Sequence, residues 1–334
     1  MPPSVPMILR VAAAQAGLRA DVFVSRELPA VSRTRIRQKI QMGESLLNGH
    51  RYSTSTHLRA GDEISLPLRR LPEGGTAPQF LILFEDGQLL AVNKPAGVAS
   101  HPMGKRQSGT VVQFARIRYA AMIRESLARG DMGFYPSLVN RLDVFTSGIV
   151  ILALTGPVHK AMQAMVVQRL VSREYIALVE GRVENDEGVV DLPIGPDAAS
   201  RVRLKKACRA DGKESVTRYA VVERLPGHTL LRITPLTGRQ HQIRVHLAAI
   251  GHPVLGDLLY KDESLFLAAL EPGAAPPLRH WLHARRASFL HPVTGAPVVI
   301  EAPIPPDLDL IVRRMRVPGA GAPGAGAPPV CPPP

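Results

Sequence analysis

Short apolar runs recur along the middle of the chain, and between them lie longer stretches in which apolar residues return every three or four positions. The clearest run, Gly148 to Leu154, is almost unbroken and follows turn-forming residues, so it predicts a buried strand. The spaced stretches predict helices, because that spacing puts side chains on one helical face. Strands separated by helices indicate an α+β protein with a central, mostly antiparallel sheet. Further strands are predicted within 80–98, 173–181, 215–223 and 228–235, and helices within 110–125, 156–170 and 238–251.

Residues 8–68 predict a small separate module that contains a helix pair, a hairpin and a basic helix face. Ser32 is placed to cap one helix, and Gly43 is placed to end it. Ile36 and Ile40 share the apolar face of that helix. Its other faces carry basic side chains suited to phosphate contact, although such a face is often only solvated. These basic residues are Arg33, Arg35, Arg37 and Lys39.

Turn and linker signals divide the chain further. Asn48 and Gly49 lie between two short apolar stretches and predict a hairpin turn, since both residues accept a positive φ. Residues 69–79 combine Pro, Gly and charge without periodicity, which is typical of a linker. We expect the main domain to span 80–310. The Pro/Gly/Ala-rich tail at 317–334 is predicted to be disordered, because it has few side chains that could order it.

The charge balance favours a polyanionic partner. The 334 residues contain 41 Lys and Arg against 28 Asp and Glu, a formal net charge of +13. Nucleic acid is the first expectation for such a surplus, although a generally arginine-rich proteome would produce the same balance. With 45% hydrophobic and 21% charged residues, the chain is otherwise typical of a folded globular protein.

Cysteine content and hydropathy predict a cytoplasmic protein. The two cysteines, Cys208 and Cys331, are too few for a disulfide framework or a cysteine-based zinc site, which fits a reducing compartment. Arg10 interrupts the apolar residues near the N-terminus, and no run of about 18 apolar residues occurs. We therefore expect no signal peptide and no membrane span.

Charged residues stand directly before the predicted buried strand. Arg141 and Asp143 are two residues apart and are followed by Thr-Ser-Gly. The ordinary interpretation is a surface ion pair at the strand entrance, worth about 0–1 kcal/mol. This pattern alone leaves that interpretation open beside a catalytic one.

The helix predicted within 238–251 combines an apolar face with polar residues. His241 and Arg244 fall on one face, and the apolar residues fall on another. A metal site does not fit, because His241 and His246 are five residues apart and no clustered carboxylate accompanies them. An amphipathic helix with ordinary polar residues remains the alternative.

Four blocks in a fixed order carry a family resemblance. RLDVFTSG at 141–148 resembles the catalytic motif of RluA-type pseudouridine synthases, and blocks at 92–102, 173–181 and 237–260 resemble the other signature stretches of that family. The resemblance covers about 80–303 and implies the pseudouridine synthase fold, with a reaction that converts uridine in RNA to pseudouridine without metal or cofactor. The N-terminal module separately resembles the α-L RNA-binding motif first known from a ribosomal small-subunit protein.

The resemblance also implies roles for individual residues. Asp143 matches the catalytic aspartate, and a free aspartate is ionised at neutral pH. Arg244 matches the partner that would hold this charge in a dry cleft. Tyr175 matches an active-site tyrosine that stacks on the base or relays a proton. Arg141 matches an arginine that assists entry of a flipped base. Basic positions lining the RNA cleft are matched by Lys94 and Arg239.

One position departs from the family pattern, and several alternatives follow. The residue before the Arg-Leu-Asp is usually His, whereas here it is Asn140, which lacks a titratable ring. The leading hypothesis is an RNA uridine isomerase that acts as a monomer on large-subunit ribosomal RNA, with transfer RNA as the alternative substrate. A non-catalytic RNA clamp and a DNA-binding regulator are the competing hypotheses, and Asn140 is the only support for the clamp.

Overall fold

The computed structural model describes six segments of the chain, which is divided into two compact units. The described segments are 7–28, 33–66, 79–102, 109–128, 134–268 and 279–316. Unit 1 comprises Met1–Lys94, Val98–Arg141 and Val150–Ala164, and unit 2 comprises Pro95–Gly97, Leu142–Ile149 and Met165–Pro334.

Unit 1 begins with the small N-terminal module, which has its own apolar core. Three short antiparallel strands form a sheet in the order β1-β3-β2, and two helices pack beside it. The core includes Phe23, Ile36 and Ile64, each fully buried. The elements are β1 (Met7–Arg10), α1 (Ala20–Glu27), α2 (Arg33–Gln41), β2 (Leu46–Leu47) and β3 (Glu63–Leu66).

The predicted local signals of this module are confirmed where the structure describes them. Ile36 and Ile40 lie on the buried face of α2, and Gly43 follows the helix with φ +70°. Asn48 and Gly49 have φ values of 50° and 82°, as the predicted turn requires. Four parts of these predictions lie outside the described residues: the cap Ser32, the side chain of Arg35, the linker residues 69–78 and the tail 317–334.

The rest of unit 1 holds further strands and helices. Strand β4 pairs antiparallel with β5, β5 neighbours β7, and β6 pairs antiparallel with β7. The helix predicted within 110–125 is divided at Tyr119, so two helices form. The elements are β4 (Leu81–Glu85), β5 (Leu89–Lys94), α3 (Val111–Arg118), α4 (Ala120–Ala128), β6 (Phe134–Leu138), β7 (Ser147–Thr155) and α5 (Gly156–Val167), of which β7 and α5 each have residues in both units.

Unit 2 contains a mostly antiparallel sheet, which confirms the predicted α+β class. The first residues of β7 pair parallel with β14, and the order continues β14-β8-β13-β12-β9 through antiparallel pairs, with β15 also on β14. The elements are β8 (Ser172–Glu180), β9 (Glu187–Asp191), β10 (Ile194–Pro196), β11 (Lys206–Cys208), β12 (Val216–Leu225), β13 (His228–Pro235), α6 (Gln242–Ala249), α7 (Leu258–Lys261), α8 (Glu263–Ala268), β14 (Leu282–Leu290), β15 (Pro297–Glu301) and α9 (Pro306–Arg316).

Across the described segments, no helix combines the length and apolar character needed to cross a membrane. The predicted domain boundaries, 8–68 and 80–310, remain a prediction.

Candidate active site

Asp143 lies in the turn that leads into β7, and the residues after it fix that turn. The carbonyl of Asp143 accepts a hydrogen bond from the Thr146 amide at 3.1 Å. The Thr146 hydroxyl lies 2.7 Å from His280 Nε2. Because these partners belong to different parts of the chain, the Asp143 backbone is held by more than local turn geometry.

Ser147, the next residue of the Thr-Ser-Gly stretch, joins β7 to the start of β14. Its hydroxyl accepts a hydrogen bond from Arg279 Nη2 at 2.8 Å and lies 2.9 Å from His283 Nδ1. Burial lowers the pKa of His283 to about 4, so the ring is neutral at pH 7. A neutral ring has one nitrogen free to accept the Ser147 proton, which satisfies both partners.

Gly148 allows the two strands to come unusually close. Its φ is +113°, and an added Cβ would lie 2.2 Å from the carbonyl oxygen of Ala284. Ala284 is paired with Gly148 on one side and with Tyr175 on the other. The close approach therefore sets the spacing between the strand that follows Asp143 and the strand that carries Tyr175.

Arg244 joins Asp143 to a second carboxylate. From α6, Arg244 Nη1 donates to Asp143 Oδ2 at 3.0 Å. The same guanidinium binds Asp257 through two hydrogen bonds, Nε to Oδ2 at 2.5 Å and Nη2 to Oδ1 at 2.8 Å. Burial lowers the pKa of Arg244, but the hydrogen bonds and charge of Asp257, with the charge of Asp143, raise it above the usual value. Arg244 is therefore a permanent cation.

Two aromatic side chains complete this cluster. Arg244 Cζ lies 4.9 Å from the centre of the Tyr260 ring. The Tyr260 hydroxyl lies 2.7 Å from His241 Nδ1, and His241 Nε2 lies 3.8 Å from Asp143 Oδ2. Asp143 is thus flanked by Arg244 and His241, both directed at the same carboxylate oxygen.

Tyr175 lies inside the sheet close to the cluster. It is 7% exposed and belongs to β8, where its neighbours are Ala284 and Ile233. Burial raises the pKa of its hydroxyl, the charge of Arg173 lowers it, and the charge of Asp143 raises it. The structure therefore joins Asp143 and Arg244 by a hydrogen bond, and Tyr175 is near enough for the charge of Asp143 to affect its pKa, while the roles of the three residues stay a prediction.

The remaining predicted residues of the main domain lie elsewhere. Lys94 is fully buried, and its Nζ donates to the carbonyl of Val98 at 2.8 Å. Arg141 is exposed. Burial lowers the pKa of His101, and the charge of Arg141 lowers it further. Arg239 is exposed and donates from Nε to the carbonyl of Glu214 at 3.0 Å. Arg141 and Arg239 present charge at the surface, whereas Lys94 does not.

The basic residues of α2 are only partly available. Arg33 and Arg37 are about half exposed and lie 2.9 and 3.7 Å from the buried carboxylate of Asp21. Lys39 is 18% exposed and contacts Glu44 at 2.5 Å. Arg33 and Arg37 therefore offer more accessible charge than Lys39.

Asn140, where the family usually has His, has a structural contact in unit 1. Its Oδ1 accepts a hydrogen bond from the amide of Ile151 at 2.8 Å. The amide side chain thus supports the backbone of β7, a contact that does not require a titratable ring.

Sequence reasoning missed two residues of the site and misplaced one. Asp257 and Tyr260 follow α6 in the same sequence block, but only the return of the chain brings them to Arg244. His241 was expected on the helix beside Arg244, whereas it precedes α6 with a left-handed backbone, φ 59°. Within the described segments, no group of three or more His, Cys, Asp or Glu side chains is arranged to hold a metal ion.

Comparisons with known proteins identify the family. The family described as RNA pseudouridylate synthase matches residues 88–249. The chain is 35% identical to ribosomal large subunit pseudouridine synthase D of Xanthomonas campestris, with 92% of each protein covered. It is 34% identical to ribosomal large subunit pseudouridine synthase C of Vibrio vulnificus, with 90% of this chain and 94% of that protein covered.

A solved structure supports the fold. Human RNA pseudouridylate synthase domain containing 1 superposes with a TM-score of 0.53 at 24% identity, covering 73% of this chain and 97% of that one. These matches confirm the resemblance seen in the four sequence blocks, while the resemblance of the N-terminal module to the α-L motif stays a prediction. The chain therefore belongs to the RNA pseudouridylate synthase family, whose members isomerise uridine in RNA to pseudouridine.

Proposed function

We propose that this protein converts specific uridines of large-subunit ribosomal RNA to pseudouridine. Two relatives that match about nine tenths of the chain are named for that substrate. The observation that carries a catalytic role is the buried Arg244 held between Asp143 and Asp257. An RNA clamp would need basic residues, but it would not need a carboxylate fixed by a buried cation.

The proposed chemistry exchanges one bond to the ribose for another. The bond between uracil N1 and ribose C1′ breaks, the uracil rotates, and a bond forms between C5 and C1′. The hydrogen of C5 leaves as a proton and N1 takes up a proton, so the product is an isomer of the substrate. Asp143 supplies the carboxylate that acts on the sugar or the base. Arg244 keeps that carboxylate charged when RNA excludes water from the site.

Tyr175 and Arg141 have supporting roles in this proposal. The Tyr175 ring would stack on the uracil, and its buried hydroxyl remains protonated, so it is suited to relay a proton. Arg141 would fill the space that a flipped uridine leaves in the RNA. Flipping costs least in loops and bulges, which are therefore the expected targets.

The proposed RNA surface uses the exposed cations. Arg33 and Arg37 on α2 and Arg239 before α6 would contact phosphates. The buried Lys94 is better suited to fixing the backbone at Val98 than to direct phosphate contact, and the ion pair of Lys39 weakens its contribution. The proposal also includes that the protein acts as a monomer and is located in the cytoplasm.

The decisive experiment maps pseudouridine in cells that lack the gene. A chemical adduct that stops reverse transcription at pseudouridine would be applied to ribosomal and transfer RNA, with complementation by the intact protein or by Asp143→Asn. We expect one or more large-subunit sites to disappear and to return only with the intact protein.

Asp143→Asn keeps the shape of the side chain and removes its charge, so RNA affinity should stay within a few-fold of wild type while turnover is lost. Loss of sites in transfer RNA instead would identify that alternative substrate. Restoration of every site by Asp143→Asn would refute the catalytic role of this residue and favour the clamp.

A further inference from the structure

His241 is held in an uncommon backbone conformation directly beside Asp143. Its φ of 59° and ψ of 13° lie in the left-handed region, where residues other than glycine are infrequent. The conformation turns the ring toward Tyr260 and Asp143, away from the helix that begins at Gln242. Backbone strain of this kind often accompanies a functional requirement, and here it orients a side chain toward the proposed catalytic carboxylate.

The hydrogen bonds of Tyr260 decide which nitrogen of His241 carries the proton. The Tyr260 oxygen accepts a hydrogen bond from the amide of Lys206 at 3.1 Å. The hydroxyl proton can then be donated to His241 Nδ1, which lies 2.7 Å away. Burial raises the pKa of the tyrosine, so this proton is present throughout the neutral range. This arrangement uses the Tyr260 hydroxyl both as donor and as acceptor, and it favours the tautomer of His241 whose ring proton resides on Nε2.

His241 Nε2 lies nearest to the same oxygen that Arg244 binds. His241 Nε2 lies 3.8 Å from Asp143 Oδ2, within electrostatic range but longer than a hydrogen bond, and Arg244 Nη1 lies 3.0 Å from the same atom. Among the described residues, no side chain donates a hydrogen bond to Oδ1. Arg244 and His241 thus both lie nearest to Oδ2, which leaves Oδ1 free to face the substrate.

We propose that His241, in the tautomer fixed by Tyr260, is a positioning residue that holds Asp143 Oδ2 together with Arg244, so that Oδ1 is the reacting oxygen. This inference rests on the proposed function of Asp143. It adds a second neighbour of Oδ2 and a defined reacting atom to that function.

The charges around His241 are consistent with a neutral ring. Burial lowers the pKa of His241, and the charges of Arg244 and Lys206 lower it further, whereas Asp143 and Asp257 raise it. The net effect is a pKa below the usual value. The ring therefore acts near pH 7 as a neutral donor, and its dipole orients the carboxylate without adding a second full positive charge.

Two substitutions at His241 separate the effect of losing the N–H at Nε2 from the effect of straining the left-handed backbone at this position. His241→Gln can place an amide N–H near the position of Nε2, whereas His241→Asn is too short to do so. Asn tolerates a left-handed backbone better than most residues, so His241→Asn isolates the loss of the donor from strain. Tyr260→Phe removes the hydroxyl and keeps the ring beside Arg244.

The kinetic test measures tritium release from large-subunit ribosomal RNA transcribed in vitro with 5-tritiated uridine. We expect His241→Asn to lower kcat about 10- to 100-fold with RNA affinity within about threefold, and His241→Gln to recover most of kcat. Tyr260→Phe should lower kcat less. The Tyr260→Phe/His241→Asn double variant should match His241→Asn alone, because the tyrosine acts through the histidine.

Three kinetic results would overturn the proposal: wild-type kcat in His241→Asn, equal losses in His241→Asn and His241→Gln, or additive losses in the double variant. Side-chain ¹⁵N NMR of the full chain supplies a readout independent of turnover. His241 should carry its proton on Nε2 in the wild type and show a mixture of tautomers in Tyr260→Phe. If the wild type releases no tritium, the proposed function fails, and a wild-type His241 protonated on Nδ1 separately refutes the positioning role.

Discussion

Replacing Asp257 with alanine should destabilise the protein far more than replacing an exposed aspartate in the same kind of ion pair. The Asp257 side chain is 1% exposed and that of Arg244 is 9% exposed. Asp257→Ala removes two hydrogen bonds and one charge, and it leaves a buried guanidinium whose remaining carboxylate partner in the cluster is Asp143. Breaking a buried ion pair by removing one partner costs about 3–5 kcal/mol.

That cost corresponds to a fall in melting temperature of roughly 6–20 °C, at about 2–4 °C per kcal/mol for a domain of 150–250 residues. Turnover should also fall, by about 100-fold, because Arg244 loses the partner that fixes its orientation toward Asp143. Thermal unfolding by circular dichroism and tritium release measure the two effects.

Asp211→Ala is the matched control, since Asp211 also makes a bidentate contact with an arginine, Arg209, but is 69% exposed. We expect no measurable change in its melting temperature. The double variant Arg244→Met/Asp257→Ala should recover part of the lost stability without recovering turnover, because it removes the uncompensated charge. Equal melting temperatures for Asp257→Ala and Asp211→Ala would refute the assignment of a buried, mutually dependent pair.

Three further predictions concern packing, pH and RNA affinity. Gly148→Ala should lower the free energy of unfolding, measured with urea, by about 2–4 kcal/mol, because its Cβ would lie 2.2 Å from the Ala284 carbonyl oxygen. A decrease below about 1 kcal/mol would contradict the close approach of the two strands. The pKa of His283 is lowered to about 4, so the stability that its neutral form contributes is present above the unfolded value near 6.5 and is lost as pH falls toward 4. The loss in the free energy of unfolding reaches about 3 kcal/mol in total. His283→Gln should remove this part of the dependence of the unfolding free energy on pH, and an unchanged dependence would show that His283 is not its source. Replacing Arg33 and Arg37 with alanine should weaken RNA binding and reduce the slope of log affinity against log salt concentration by about 1–2. An unchanged slope in a filter-binding assay would show that α2 is not part of the RNA surface.

Local patterns predicted the secondary structure well because the relevant interactions lie close in sequence. The apolar run at 148–154 became β7, and Ile36 and Ile40 became the buried face of α2. Tyr119 divided the helix predicted within 110–125 although no proline or glycine marks the break. Nothing in the sequence pattern explains this division.

The site was predictable only in part, because its pairs join distant residues. Resemblance indicated Asp143, Tyr175 and Arg244, and the structure joins Asp143 to Arg244 by a hydrogen bond. The contact between Arg244 and Asp257 requires the chain to return after α6, and no helical or strand spacing encodes a separation of 13 residues. The position of His241 required knowledge of its left-handed backbone, since helical spacing predicts a different direction for its ring.

The carboxylate–guanidinium–carboxylate cluster has a net charge of one negative unit, within a protein whose formal net charge is +13. The surplus of cations in the protein would attract the RNA backbone, but the cluster itself would repel any phosphate that approaches Oδ1 of Asp143. The neutral sugar and base of a nucleotide meet no such repulsion. If RNA binds as proposed, the cluster would therefore favour the approach of the uncharged sugar and base over that of the phosphodiester at Asp143 Oδ1.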